Sequence, residues 1–133
     1  MTDLISGQVQ VMFTSMPTVL AHVKAGRLRL LGTGGNRRSA VIPDTPTVAE
    51  SVAGFELITW YGVFAPARTP GAIVKQLNGG IGKVLVDAES RERLGSQGLE
   101  PVVMTPEELK RYTTQDSGRW ARLIKSAGIK PGQ

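Results

Sequence analysis

The sequence predicts an α/β fold, and three observations carry that expectation. A strand pattern, a helix pattern and a second strand pattern follow one another between Gln8 and Thr33. An aromatic and β-branched run fills Phe55–Phe64, and helices with capping signals come after it. Sixteen glycines and eight prolines in 133 residues favour many short connections over a helical bundle.

Gln8 to Phe13, QVQVMF, alternates polar and apolar residues and then turns apolar, as a strand buried on both faces does. Gly7 supplies the turn into it. Thr14 and Ser15 precede Met16-Pro17, and a hydroxyl followed closely by proline is a helix-start signal. The helix is expected from Met16 to about Ala25, with Val19, Leu20 and Val23 inward, His22 facing solvent, and Gly26 closing it in the left-handed conformation. Arg27 to Thr33, RLRLLGT, predicts a second strand parallel to the first. The following GTGGNRRS departs from G-x-G-x-x-G and lacks a P-loop lysine, so it reads as a flexible loop with Arg37 and Arg38 in solvent. Thr45 is expected to cap a short helix from Pro46 to about Val52 that stops at Gly54.

Phe55 to Phe64, FELITWYGVF, predicts a third strand, with Gly62 marking a bend or a close backbone approach. Thr69 and Pro70 then open a helix in which Ile73, Leu77, Ile81 and Leu85 recur every four residues. Gly79, Gly80 and Gly82 interrupt that helix, each costing about 1 kcal/mol relative to alanine. Ala88 to Gln97 predicts a short charged helix closed by Gly98, and Pro101 to Met104 a brief strand. Thr105-Pro106-Glu107-Glu108 is a capping box for a long helix through Tyr112, Trp120 and Leu123 to Ala127, which Gly118 softens, Gly128 ends and a frayed tail from Ile129 to Gln133 follows.

Composition narrows the function classes. The net charge of +5 suits an anionic ligand, but no helix clusters basic residues as nucleic-acid recognition requires, so no nucleic acid is expected. No apolar run approaches the about 18 residues of a membrane span. MTDLISGQ has no basic region followed by an apolar block, so a chain that starts there is expected to stay in the cytoplasm. One histidine and no cysteine argue against a metal, and no cofactor is expected. Glu50, Glu56, Asp87 and Glu89 show no pairing for acid–base work, and no G-x-S-x-G elbow is present. Binding without catalysis is therefore the expected class. Its candidate residues are Phe13, Thr14 and Ser15, at a strand-to-helix turn whose amides suit an anion, and Trp60, at the edge of a cleft. The plainer alternatives are an ordinary helix cap and a core aromatic.

In combination, GQVQVMFTSMPTVLAHVKAGRLRLLGTGGNRRS, PDTPTVAES, WYGVFAPARTP, QGLEPVVMTPEEL and RWARLIKSAGIK resemble the C-terminal half of the Bug-type periplasmic solute-binding receptors of tripartite tricarboxylate transporters. The resemblance implies a partial type II periplasmic-binding-protein fold, with part of the second lobe in residues 1–58 and the returning strand and C-terminal helices of the first lobe in 59–133. It implies a truncated receptor that captures a small organic carboxylate in the periplasm, works with membrane transporter subunits, and holds its ligand by strand-end hydroxyls and helix N-terminal amides. Phe13, Thr14 and Ser15 then fall at the cleft, and Trp60 near the crossover between lobes. The missing N-terminal half leads to an expected homo-oligomer or swapped assembly that covers exposed apolar surface. A cytoplasmic ligand-sensing or protein-interaction module of the same fold is the alternative.

Overall fold

The computed structural model describes residues 1–130. The chain forms two compact units, one comprising Met1–Phe64 and Asp87–Pro101, the other Ala65–Val86 and Val102–Gln133. The sequence reading divides the chain between 58 and 59; these units divide it after Phe64 and return the short charged helix to the first unit. The helices are α1 (Thr2–Ile5), α2 (Met16–Lys24), a 3₁₀ turn at Val48–Glu50, α3 (Gly71–Val86), α4 (Ala88–Ser96) and α5 (Pro106–Ser126). The last three residues of the expected frayed tail lie outside the described residues.

In the first unit, α2 begins at Met16 and closes at Gly26, whose φ of 68° is the expected left-handed cap. Val19 and Leu20, each 6% exposed, are its buried residues, and Val23 is half-buried. His22 is half-buried instead of solvent-facing, because the returning chain wraps the end of α2: the N–H groups of Arg27 and Leu28 donate to the His22 carbonyl at 2.9 and 3.3 Å. Gly98, at φ 79°, lies against Met16 and Leu20 so closely that a Cβ there would overlap Met16. The four-residue α1 carries no sequence signal beyond Gly7, which follows it at φ 78°.

The short helix starts two residues later than the sequence suggests. The Thr45 N–H is engaged by the Ile42 carbonyl at 3.1 Å, while the Glu50 carboxylate accepts from the Thr47 N–H at 2.9 Å. Thr47 is therefore the cap, and the turn is 3₁₀ over only three residues.

The four expected strands, Gln8–Phe13, Arg27–Thr33, Phe55–Phe64 and Pro101–Met104, form no ladder among the described residues. One isolated parallel bridge joins Thr33 to Thr47, and the Leu57 N–H donates to the Gly34 carbonyl at 2.8 Å. Phe55 to Pro66 runs on without turn or bend. The reason is physical: an extended segment becomes a strand only when a neighbour about 4.8 Å away supplies donors and acceptors. Val9, Val11, Met12, Phe13, Tyr61, Val63 and Phe64 are all exposed. A compact body of this mass would expose about 6,800 Å², and two separate half-size bodies about 8,200 Å². The chain exposes 10465 Å².

In the second unit, Ile73 and Val74 donate to the Pro70 carbonyl at 3.0 and 3.1 Å as α3 begins. α3 packs on α5, with Gly82 facing Val103 and the Asn78 amide donating to the Met104 carbonyl at 2.9 Å. The capping box forms as expected: the Glu108 N–H donates to Thr105 Oγ1 at 3.2 Å, and the Thr105 N–H to Glu108 Oε2 at 2.8 Å. Those contacts hold the Glu108 carboxyl below its ordinary pKa. α5 continues unbroken through Gly118 to Ser126. None of this unit's described residues is fully buried.

Candidate functional site

The end of the segment 11–15 and the start of α2 form a small donor cluster in the first unit. Ser15 is the N-cap, with extended backbone at φ −76°, ψ 146°. Its side chain makes no capping bond to the helix. Ser15 Oγ instead lies 2.8 Å from Thr18 Oγ1, while the Thr18 N–H turns back to the Ser15 carbonyl at 3.1 Å. Pro17 has no N–H to offer, and the N–H of Met16 has no acceptor within the helix. No acidic residue stands in the first turn, so the positive end of the helix dipole is uncompensated there.

The hydroxyl pair matters chemically. One hydrogen bond between two hydroxyls uses one proton, which leaves the other O–H as a donor. Thr14, exposed beside them, adds another hydroxyl. The cluster is neutral and rich in donors, a composition that suits binding an anion more than transforming one.

Two aromatic pairs lie in the same unit. Phe13 is 68% exposed and stacks on Phe55, with centroids 6.3 Å apart. Trp60 is half-buried and tilts against Phe64 at 6.5 Å. Phe13, Thr14 and Ser15 thus sit together at one chain turn, and Trp60 belongs to a second ring pair in the same unit.

Sequence reasoning missed a carboxylate network in the same unit. Arg38 donates through Nε to Glu50 Oε1 at 2.8 Å and through Nη2 to Oε2 at 2.7 Å, so the loop arginine expected in solvent is 48% exposed but also ion-paired. The guanidinium first, and the Thr47 N–H second, hold the Glu50 carboxyl at about 2. Glu100 accepts from the Ser39 hydroxyl and, at 3.1 Å, from the Ala40 N–H. The Thr47–Glu50 spacing is a capping-box signal that was available in the sequence. Arg38 lies 12 residues from Glu50, and Ser39 is 61 from Glu100, separations that no periodic pattern connects. Among the described residues no three His, Cys, Asp or Glu side chains are placed to hold a metal ion, and no helix is long and apolar enough to cross a membrane.

Residues 1–129 match the family model described as the tripartite tricarboxylate transporter family receptor. The chain belongs to this receptor family. It is 35% identical over 134 aligned residues to the UPF0065 protein in the tcbD-tcbE intergenic region of Pseudomonas sp. strain P51, covering 99% of this chain and 40% of that protein. Identity to BugT of Bordetella pertussis is 33% over 129 residues, with 96% of this chain and 40% of BugT covered. Among solved structures, Rpa4515 of R. palustris with adipate matches at a TM-score of 0.87 and 30% identity, over 96% of this chain and 43% of that one. The periplasmic binding protein BugD matches at 0.83 and 30%, over 97% and 44%. The chain therefore follows part of the periplasmic-binding-protein fold, and spans about 40% of the length of these curated relatives.

Proposed function

We propose that this chain contributes to a receptor that captures a small organic carboxylate for a tripartite transporter. The observation that carries the reading is the Ser15–Thr18 hydroxyl pair at the uncapped amide end of α2. A carboxylate presents about four lone-pair sites, and the spare hydroxyl proton, the Thr14 hydroxyl and the Met16 N–H are donors of the right kind for it. Phe13 and Trp60 flank the ligand's carbon chain. The adipate bound by the related R. palustris protein supports a dicarboxylate as the substrate class.

On this reading the first unit carries the second-lobe elements and the second unit the C-terminal helices of the first lobe. Capture is non-covalent and takes place in the periplasm, and delivery is to the membrane subunits of the transporter. The exposed apolar segments receive another polypeptide surface, either a second copy or the remainder of a full-length receptor.

Titration calorimetry of the chain with adipate, succinate and citrate tests the proposal. Binding of at least one acid is expected, weakened about tenfold by Ser15→Ala, the loss of roughly one hydrogen bond to a charged group. Absence of heat with every acid contradicts it.

A further inference from the structure

We propose that Arg38 and Glu50 are positioning residues for the carboxylate site, acting through two backbone crossings to fix the segment that carries Trp60. The inference rests on the ligand-facing reading of Trp60 given above.

Arg38 binds both oxygens of Glu50 in a fork, and its Nη1 also donates to the Pro43 carbonyl at 3.3 Å. The oxygen that takes Nε, Glu50 Oε1, accepts from the Thr47 N–H at 2.9 Å as well. One carboxylate therefore ties the loop at Arg38 to the backbone of Thr47, a residue only 3% exposed.

Thr47 in turn lies beside Thr33. The Thr33 N–H donates to the Pro46 carbonyl and the Val48 N–H to the Thr33 carbonyl, both at 2.9 Å. The next residue, Gly34, accepts from the Leu57 N–H, and any Cβ at position 34 would run into the Leu57 carbonyl. Trp60 follows three residues later in a run without turn or bend, so a displacement at Leu57 is carried to it. Glu100 holds the other side of the same loop through Ser39 and Ala40.

The ion pair is close to half exposed, 48% for Arg38 and 43% for Glu50, and such pairs add little to global stability. Its geometry matters more: the two side chains bond the backbone at Pro43 and Thr47, and backbone hydrogen bonds continue from there to Thr33, Gly34 and Leu57. The expected signature is a local change at Trp60 without loss of the fold.

The test uses the full chain carrying Trp120→Phe, which leaves Trp60 as the single tryptophan of the two in the sequence. Acrylamide quenching and emission wavelength are read alongside helical circular dichroism. Arg38→Ala is expected to raise the quenching constant about twofold and move emission to the red with unchanged helix content. Arg38→Lys, which keeps the charge but loses the fork, falls between. Glu50→Gln keeps an acceptor for Thr47 and gives a smaller rise. Arg37→Ala, in the same loop, leaves Trp60 unmoved. Unchanged quenching in Arg38→Ala, or an equal change in Arg37→Ala, overturns the proposal. Adipate titration separates the two readings: a parent that binds no acid contradicts carboxylate capture, while a parent that binds adipate together with an Arg38→Ala variant that binds it equally tightly overturns the positioning role.

Discussion

The two units are held together by different physics. In Met1–Phe64 with Asp87–Pro101, structure comes from backbone crossings between distant segments, the close approaches at Gly34 and Gly98, and the buried residues Val19, Leu20 and Thr47. In Ala65–Val86 with Val102–Gln133, it comes from helix ends and one helix pair, with no described residue fully buried. A helix satisfies its backbone within itself once its ends are capped, whereas an extended segment depends on a neighbour. Substitutions in the first unit should therefore act through tertiary contacts, and substitutions in the second through local helix propensity.

Gly34→Ala is the strongest challenge to the first half of that contrast. Its methyl meets the Leu57 carbonyl, which belongs to the backbone and cannot rotate away. The expected loss is about 1 to 3 kcal/mol by urea unfolding, in line with overpacking and strain; a loss below the error of the measurement would show that the crossing is not needed. In the second unit, Thr105→Ala removes the hydroxyl that accepts from Glu108, and should cost about 1 kcal/mol, read as lower helical content and an earlier thermal transition. Gly80→Ala should act in the opposite direction. Position 80 has open space around it inside α3, so helix propensity alone decides, and a gain of about 0.5 to 1 kcal/mol is expected.

The smallest effect is the response to acid. Glu50 is held at about 2, below its ordinary 4.5. A carboxyl with a depressed pKa contributes stability that is present above its ordinary value and is lost as pH falls toward the folded one. The thermal midpoint should therefore show a Glu50-dependent decline between these two values, which Glu50→Gln flattens. With both partners exposed to water the change is small, and a flat parent profile would remove Glu50 from the account.

The same contrast explains what the sequence made legible. Thr105 to Glu108, Gly26, Gly98 and Gly128 mark helix ends through local chemistry, and the structure places those ends within a residue or two of expectation. The helix start that follows Phe13 and Thr14 was legible for the same reason, with Ser15 as its N-cap. QVQVMF and FELITWYGVF have strand composition, but composition does not supply a partner, and no ladder forms among the described residues. The pairing of Arg38 with Glu50 and the hold of Glu100 on the same loop were not legible, because charged residues far apart in sequence carry no periodic signal and only the folded loop brings them together.

The central claim is that a carboxylate is taken at the start of α2. Backbone amide NMR of the isotope-labelled chain, titrated with adipate, tests it most directly. The account predicts the largest shifts at Thr14, Ser15, Met16 and Thr18, with the Trp60 indole responding in parallel. Saturable shifts centred elsewhere, or none at any adipate concentration, would contradict it.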